Sequence, residues 1–553
     1  MLERLRSRRV LLAVLLFVVV AAAALRLPGL TDKPLHSDEG VNGWFTLRLY
    51  WWNLYRYQAS DYHGPFLYYV NLVFFWLFGA TDVSLRIGTA LAGMAIPVAL
   101  LPARRWLGSV GLLVSGLLLA AGPCLVYFAR TCIHETYLIA FTALWAAALA
   151  RYAQRPALRW GLLAAFAAFG CFSNKETAII TAGSLGVGAG LAWLVGRSIA
   201  VDDPEDPDLF GGRGRADALR AWLGAWRVWI AGVGVFAVLI VLFFSSFFTF
   251  SAGVGRFFEA YTPWLEYGTT GRNQTKPWTY FWKVMGHSQQ LAVYPALAAG
   301  LWALVRRHRV GLMLLGWGAS AFAVYSLVPY KTPWCVLNID LPAFLLCGWG
   351  SQEAVRFAAG RALPVRAVAL VLAASPLVAL PGLVGQSIAD NTEHYDDGKR
   401  PYVYVQTVRG MTELFADVVG VARNEPGGDG GGPGVINLDA KNPTRWYLIT
   451  RGLAHDRHRY VKKTPKRSVA RKAGVLIATG AHKRKAAEIV AEEWGAVHVE
   501  TYDLRPGWTV QAHYRQELWD AYQAAGGREA NPWPIAEEPT RPAKLPKKYR
   551  KKR

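Results

Sequence analysis

The chain has 553 residues, 53% of them hydrophobic, and a formal net charge of +23. This composition excludes an ordinary soluble globular protein, and long uncharged apolar stretches indicate a polytopic membrane protein. The basic residues lie mostly in short loops between apolar stretches and in a C-terminal tail, so the membrane accounts for the charge better than nucleic acid does. The five cysteines lie within or beside apolar stretches, and their spacing predicts neither a disulfide framework nor a metal site.

Twelve apolar stretches are candidate membrane spans. They are residues 10–27, 66–78, 87–103, 109–128, 136–150, 160–173, 178–196, 228–249, 290–305, 310–328, 335–350 and 366–385. The first is long enough to cross a bilayer, and the segment after it shows no clear cleavage site for a secretory signal. We therefore expect it to remain as a membrane anchor.

Basic loops decide which candidates cross, because short loops rich in Lys and Arg stay in the cytoplasm. The N-terminal segment MLERLRSRR is therefore expected inside. If all twelve stretches crossed, Arg104, Arg105 and the loop at 306–309 would face outward. These loops move inside if residues 66–78, a short aromatic stretch that contains Asn71, lie along the outer interface instead. We predict eleven spans, with the N-terminus inside and the C-terminus outside.

This topology places five polar motifs on the outer face. They are HSDEG (36–40), DYHGP (61–65), ARTCIHETY (129–137), SNKET (173–177) and PYKTPW (329–334). Charged groups at the ends of membrane spans are costly when drawn into the bilayer, so their concentration on one face indicates a water-filled cavity. From the residues alone, the carboxylates there could bind a metal, relay protons or perform acid–base chemistry on an anionic lipid.

Four segments together resemble a known enzyme class. HSDEGVNGWFTLRLY, DYHGPFLYYVNLVFFWLFGATDVSLRIGTALAG, ARTCIHETYLIAF and NKET resemble the GT-C-fold, protein-mannosyltransferase-like glycosyltransferases. Within them the chain is most similar to a prokaryotic subfamily associated with archaeal-type glycosylation. The resemblance covers roughly residues 30 to 350, and NPTRWYLI near the C-terminus adds weak support.

The resemblance implies both a fold and a reaction. The fold would be an α-helical polytopic membrane domain with about 11 transmembrane helices and interfacial helices in the first outer loop. The reaction would move a hexosyl or pentosyl group from a polyprenyl-phosphate-linked donor to an acceptor hydroxyl on the outer face of the plasma membrane, with inversion. The expected partners are this donor, a protein, lipid or glycan acceptor, and the bilayer, with no nucleic acid.

The resemblance also implies roles for individual residues. The carboxylates expected in catalysis are Asp38, Glu39 and Glu135. Among them, Asp38 is expected to be the general base, and Glu39 is expected to be a structural partner of nearby cations rather than a second base. The side chains expected to bind the donor phosphate are Arg130 first, then Lys175 and Lys331, and more weakly His63. The side chains expected to bind the acceptor or to support the site are His36, His134 and Glu176.

Several of these roles stay open. Glu135 stands in a motif that often carries Asp in this superfamily, so it could be a metal ligand, an acceptor binder or a helix cap. Lys175 and Glu176 could form only an ion pair that caps the next helix. A divalent cation, Mg or Mn, could be required, although no metal ligands are assigned. The oxygen-rich set that could hold it is His36, Asp38, Glu39 and Glu135.

The composition changes after the last apolar stretch and predicts four regions. A membrane glycosyltransferase domain covers 1–388, and a linker with a Gly-rich stretch covers 389–433. A small extracytoplasmic α/β domain covers 434–525, with four strands and one amphipathic helix, and a basic, disordered tail covers 526–553.

Two other functions fit a polytopic membrane protein of this kind. One is a transporter or flippase for a lipid-linked sugar, and the other is a non-catalytic accessory protein of glycan assembly. A transporter would be expected to carry polar residues near the bilayer midplane. Here the span interiors are mainly Ala, Leu, Val, Gly and aromatic residues, and the charges lie at the ends, which favours the enzyme.

Overall fold

The computed structural model describes most of the chain. The described residues are 8–60, 63–197, 208–271, 275–288, 290–423, 434–438, 443–451, 453, 457–480 and 482–530. The predicted Gly-rich stretch up to Pro433 and the basic tail from Asn531 onward lie outside them, as do Asp61 and Tyr62 of the DYHGP motif.

Helices dominate the described residues. The α-helices are Arg8–Arg26, Ser37–Trp52, Phe66–Phe78, Asp82–Ala99, Arg104–Ala121, Pro123–Ala129, His134–Gln154, Leu158–Phe172, Ala178–Val195, Arg215–Gly224, Trp226–Phe244, Ala252–Glu259, Tyr261–Thr270, Tyr280–Ser288, Gln290–Arg306, Arg309–Leu327, Leu337–Ala358, Leu363–Ala374, Leu380–Thr392, Gly410–Arg423, Thr444–Thr450, Arg467–Ala470, His482–Trp494, Gln516–Ala524 and Gly527–Ala530. Short 3₁₀ helices occupy Leu101–Ala103, Pro333–Val336 and Ser375–Ala379.

Within the described residues, seven helical stretches are long and apolar enough to cross a membrane. They are Arg9–Arg26, Asp82–Ala121, His134–Gln154, Ala178–Val195, Trp226–Phe244, Arg309–Leu327 and Leu363–Thr392. Three shorter apolar helices are Phe66–Phe78, Leu158–Phe172 and Ala292–Arg306. Each of the eleven predicted spans coincides with helix, and the protein is a multi-pass membrane protein. Their sidedness and the interfacial position of Phe66–Phe78 stay predictions.

One of these stretches covers one predicted span and most of the next. Asp82–Ala121 contains 87–103 and residues 109–121 of the span 109–128, which continues into helix Pro123–Ala129. Its helical backbone is interrupted at Gly108, which has a φ of 63°. This left-handed conformation favours glycine, and an added Cβ would also collide with the Gln352 side-chain amide. Glycine at position 108 therefore allows the chain to change direction where it packs closely against Gln352 of helix Leu337–Ala358.

The chain forms two compact units. One comprises residues 1–28, 56–67 and 89–393, and the other comprises 29–55, 68–88 and 394–553. The second unit thus combines the HSDEG segment with the C-terminal domain. The predicted domain boundaries after residues 388, 433 and 525 stay predictions.

A five-stranded sheet forms the centre of the C-terminal domain. Its strands are β1 (Val435–Leu438), β2 (His458–Val461), β3 (Val475–Thr479), β4 (Val497–Arg505) and β5 (Trp508–Arg515), in the order β2-β1-β3-β5-β4. Strands β2, β1 and β3 are parallel, whereas β5 is antiparallel to both β3 and β4. The fold prediction of a helical membrane protein with a small α/β domain is confirmed. Four of these five strands were predicted from the sequence. The short strand β2 was not, because it lies in a basic segment.

A buried carboxylate ties the helices of this domain to the sheet. Asp417, on helix Gly410–Arg423, accepts hydrogen bonds from the hydroxyls of Tyr502 (2.6 Å) and Tyr522 (2.9 Å). Arg528 donates to the same carboxylate from Nε (3.1 Å) and Nη2 (2.6 Å). Burial raises the pKa of Tyr502 far above its usual value, with Tyr514 and Asp417 adding to the effect, so this hydroxyl remains a donor.

We expect Asp417→Asn to destabilise the C-terminal domain by about 2 kcal/mol, because the amide carries no charge for Arg528 and offers one acceptor oxygen instead of two. Hydrogen exchange of the full chain in detergent should show β4 and β5 amides exchanging about 30-fold faster. The exposed Asp520→Asn is the matched control and should leave exchange unchanged. Wild-type protection in Asp417→Asn would contradict the assigned role.

Candidate active site

The helix that carries Asp38 begins with a capping box. His36 is the N-cap residue; its backbone N–H donates to Glu39 Oε2 (2.8 Å), and its Nδ1 accepts from the Asp38 N–H (3.1 Å). The other ring nitrogen of His36 lies 2.6 Å from the Tyr404 carbonyl oxygen. The Asp38 side chain is 50% exposed, with Oδ2 at 3.8 Å from His36 Nδ1. The structure therefore presents Asp38 to solvent from the first turn of a firmly capped helix.

The neighbouring Glu39 is buried and forms an ion pair with Arg86. Arg86 Nε and Nη2 lie 2.8 and 2.7 Å from the two carboxylate oxygens, and both side chains are fully buried. Arg86 also donates to the carbonyls of Leu30 (2.7 Å) and Lys33 (2.9 Å). Glu39 therefore holds the loop and the helix together and does not face solvent. Arg86 was not among the predicted site residues, although a buried carboxylate such as Glu39 requires a nearby cation.

The C-terminal domain holds the backbone just before Asp38. The Leu35 N–H donates to the Tyr447 hydroxyl (2.6 Å), and the Leu35 carbonyl accepts from Thr407 Oγ1 (2.7 Å). Gln406 Nε2 donates to the Pro34 carbonyl (2.8 Å). These backbone groups are buried, so each hydrogen bond replaces one that water would otherwise make. These three hydrogen bonds thus fix the backbone of Pro34 and Leu35.

A second set of contacts joins the same domain to the following helices. Asp82 accepts from Trp446 Nε1 (2.7 Å) and from Arg451 Nη2 (2.6 Å). The Trp446 ring packs against Gly43 so closely that an added Cβ would collide with it. Trp446 belongs to the NPTRWYLI segment, which the sequence analysis used only as weak support for the resemblance.

Five of the other predicted polar residues cluster in the first compact unit. Lys175 and Glu135 form a buried ion pair. His63 Nδ1 lies 3.5 Å from Glu176 Oε2, and the ring centroids of His63 and His134 are 4.9 Å apart. The structure therefore brings together five of the residues selected from the sequence, and each carboxylate among them faces a basic side chain.

Backbone pairing explains why the HGP motif lies beside this cluster. The Gly64 N–H donates to the Asn174 carbonyl (3.1 Å), and the Phe66 N–H donates to the Ser173 carbonyl (3.1 Å). An added Cβ on Gly64 would collide with the Ser173 carbonyl. His134 Nε2 lies 3.2 Å from the Gly64 carbonyl oxygen. Glycine is thus required for the close approach of these two turns.

Arg130 lies next to a second buried arginine. Its Nη1 donates to the carbonyls of Arg26 (3.1 Å) and Pro28 (2.6 Å). Arg26 in turn donates to the carbonyls of Ala120 (2.8 Å) and Leu119 (3.1 Å). These carbonyl partners orient both guanidinium groups. Arg26 was not among the predicted site residues. A lone arginine at the end of an apolar stretch is the sequence feature that could have indicated it.

Lys331 is held by backbone carbonyls as well. Its Nζ donates to the carbonyls of Lys276 (3.2 Å) and Val328. Burial lowers the pKa of the Lys331 amine from its usual value. Lys331 lies in the turn between helix Arg309–Leu327 and the 3₁₀ helix Pro333–Val336, as the YKTPW motif suggests.

The carboxylates that could hold Mg or Mn have other partners in the structure. Over the described part of the chain, no group of three or more His, Cys, Asp and Glu side chains is arranged to bind a metal ion. Two of the carboxylates considered for this role are already neutralised, Glu39 by Arg86 and Glu135 by Lys175. No step of the chemistry is therefore assigned to a metal.

We expect Glu39→Gln to lower the free energy of unfolding by about 3 kcal/mol, because it leaves the buried Arg86 guanidinium without a counter-charge. Denaturant unfolding of the detergent-solubilised protein, followed by Trp fluorescence, measures the change. The double variant Glu39→Met, Arg86→Met removes both charges and should recover part of the loss. A single variant as stable as the wild type would show that the ion pair does not hold this loop.

Comparison with known proteins supports the family resemblance. Residues 62–198 match the family model described as dolichyl-phosphate-mannose-protein mannosyltransferase. No curated protein matches the sequence of the whole chain. The matched region contains the HGP motif, Arg130, Glu135 and Lys175.

Solved structures identify the fold. The structure of ArnT from Cupriavidus metallidurans bound to undecaprenyl phosphate is similar with a TM-score of 0.55 and 18% identity, over 91% of this chain and 97% of ArnT. The archaeal oligosaccharyltransferase AglB from Archaeoglobus fulgidus, in complex with an inhibitory peptide and a dolichol-phosphate, is similar with a TM-score of 0.52 and 12% identity, over 88% of this chain and 71% of AglB. The chain is a multi-pass membrane protein of the GT-C fold, and its residues 62–198 are similar to the dolichyl-phosphate-mannose-protein mannosyltransferase family.

Proposed function

We propose that the protein is an integral membrane glycosyltransferase that moves a hexosyl or pentosyl group from a polyprenyl-phosphate-linked donor to an acceptor hydroxyl, with inversion, on the outer face of the plasma membrane. The family match and the GT-C fold support this function. The lipids bound in the two similar structures, undecaprenyl phosphate in ArnT and dolichol-phosphate in AglB, support the class of donor.

One observation carries the assignment of the base. Of the four candidate carboxylates, Glu39, Glu135 and Glu176 are buried and face Arg86, Lys175 and His63 respectively. Asp38 is half exposed and stands on a fixed helix start. It is therefore the candidate carboxylate that can reach an acceptor hydroxyl, and the proposed function gives it the role of general base.

The reaction follows from these roles. Asp38 accepts the proton of the acceptor hydroxyl while the hydroxyl oxygen attacks the anomeric carbon of the donor. The bond from that carbon to the phosphate oxygen breaks on the opposite face of the sugar, and the polyprenyl phosphate leaves with the electron pair. A single general base contributes ~10²–10⁴-fold to the rate, so the cations that stabilise the departing phosphate supply much of the remainder.

Arg130 is the first cation proposed for the departing phosphate. Its Nη1 is oriented by the carbonyl oxygens of Arg26 and Pro28, and the side chain lies beside the buried Arg26, which supports this role. Lys175 is less suited, because Glu135 already neutralises it. Lys331, oriented by carbonyl groups, is the second choice.

Three histidines and one carboxylate are assigned supporting roles. His36 caps the helix of Asp38, and His134 holds the turn that contains Gly64. His63 and Glu176 face each other, so His63 is a weaker candidate for the phosphate than Arg130.

We expect Asp38→Asn to lose transfer activity by ~10²–10⁴-fold while keeping donor affinity, because the amide cannot accept the proton. Purified protein is assayed with labelled hexoses and pentoses linked to undecaprenyl or dolichyl phosphate, using membrane acceptors. The exposed Asp32→Asn in the same segment is the matched control and should keep wild-type turnover. An Asp38→Asn variant with full activity would reject the base assignment.

We expect Arg130→Met to weaken binding of a fluorescent polyprenyl phosphate by about tenfold or more, because a charge-assisted hydrogen bond contributes about 1.5–3 kcal/mol. Arg130→Lys should recover part of the affinity. The exposed Arg159→Met serves as the control for loss of one arginine. Unchanged affinity in the folded Arg130→Met variant would remove Arg130 from the phosphate site.

A further inference from the structure

Three helices of the first compact unit line an apolar groove. They are Gln290–Arg306, Leu337–Ala358 and Leu363–Ala374, and the groove has a volume of about 530 Å³. Ligand-binding pockets in proteins occupy roughly 300–1,000 Å³, so the groove is large enough for a ligand. The space is left open by small residues in its lining, which are Ala298, Ala299, Gly350, Ala354 and Ala369.

The groove opens at the surface that faces the bilayer. Three of the side chains that line it, Val365, Val368 and Leu372, are exposed. They belong to the stretch Leu363–Thr392, which is long and apolar enough to cross a membrane. A hydrocarbon chain can therefore enter from the side, whereas a polar solute would lose its hydration without gaining hydrogen bonds.

Two arginines lie at one end of the groove, each over an aromatic ring that lines it. The Arg306 guanidinium is 5.5 Å from the centroid of the Trp302 ring, and the Arg361 guanidinium is 4.8 Å from that of Phe357. The two rings contact each other edge to face, with their centroids 5.8 Å apart. This ring pair places both arginines at the same end of the groove.

The charge at this end is positive. Both arginines are exposed, and among the described residues neither is paired with a carboxylate. Glu353 also lines the groove, but it forms an ion pair with Arg356. Because a guanidinium group binds phosphate oxygens through parallel N–H groups, this end of the groove suits a phosphate.

The arginine pair lies far from the proposed donor-binding cation Lys331. Helix Arg309–Leu327 begins three residues after Arg306 and leads to the turn that contains Lys331. Its 19 residues rise about 28 Å, so the two sites are at opposite ends of this helix. The arginine end adjoins the loop at 306–309, which is predicted to be cytoplasmic, and anionic lipids give the cytoplasmic leaflet its negative charge.

We propose that this groove binds an anionic phospholipid of the surrounding bilayer, with an acyl chain between the three helices and the phosphate on Arg306 and Arg361. The apolar groove that opens towards the bilayer accounts for the acyl chain, and the two arginines account for the phosphate. The site is separate from the proposed transfer reaction and does not depend on it.

The test measures the affinity of the tightest-bound lipid by native mass spectrometry of the full-length protein. We expect phosphatidylglycerol to bind about tenfold more tightly than phosphatidylcholine, because basic residues attract an anionic head group. The double variant Arg306→Met, Arg361→Met should lose this preference. The double variant Arg306→Lys, Arg361→Lys retains both charges and should keep most of it.

The matched control is the double variant Arg159→Met, Arg227→Met. Both of these arginines are exposed, and each lies over a tryptophan ring outside the groove, so the preference for phosphatidylglycerol should remain. If the methionine variant of the groove arginines does not fold, Arg306→Gln, Arg361→Gln should show the same loss.

Ala354→Leu tests the hydrocarbon part of the site. The larger side chain displaces about two methylene groups of the acyl chain and should weaken binding of both lipids about tenfold. Ala367→Leu, at an exposed position outside the lining of the groove, is the control and should bind as the wild type does.

Three results would overturn the inference. They are equal affinity of the wild type for the two lipids, an unchanged preference in the folded methionine or glutamine variant, and wild-type affinity in Ala354→Leu. Displacement of phosphatidylglycerol by undecaprenyl phosphate would also overturn it, because the groove would then belong to the donor.

Discussion

The buried ion pair between Glu39 and Arg86 is the interaction on which the geometry of the candidate site depends. Two charges removed from water are tolerated only when they are paired and their remaining hydrogen-bonding groups are satisfied. Here Arg86 binds both oxygens of Glu39 and also the carbonyls of the preceding loop. The loop and the first helical turn therefore form one rigid piece, and Asp38, one residue before Glu39, is presented from it in a defined direction.

This arrangement gives the two adjacent carboxylates, Asp38 and Glu39, different surroundings. Glu39 is buried and paired with Arg86, whereas Asp38 is half exposed and is the carboxylate proposed as the general base. The C-terminal domain takes part in the same piece of structure, because Tyr447 and Thr407 bind the backbone of Leu35. The proposed catalytic carboxylate is thus supported by residues about 370 and 410 positions away in the sequence.

Features that depend on the local sequence pattern could be predicted from the sequence alone. Long apolar stretches identified the membrane helices, and alternation and β-branched residues identified β1, β3, β4 and β5, because these patterns reflect burial along one element. The motifs also identified the candidate residues, including Asp38 and Arg130. Pattern alone did not assign partners, because the Glu39–Arg86 and Glu135–Lys175 pairs depend on tertiary contacts between distant segments. Sidedness rests on the distribution of arginines in loops and stays a prediction.

The central claim is that the proposed base and the proposed phosphate-binding cations work in the same compartment. Single cysteines at Thr31 and Lys276, which are both exposed, report on the segments of Asp38 and Lys331 respectively, and a cysteine at the exposed Arg105 reports on a predicted inner loop. In a background without the five native cysteines, a membrane-impermeant maleimide should label the first two positions in intact cells and the third only after permeabilisation. Labelling of Thr31 and Lys276 from opposite sides would contradict the account.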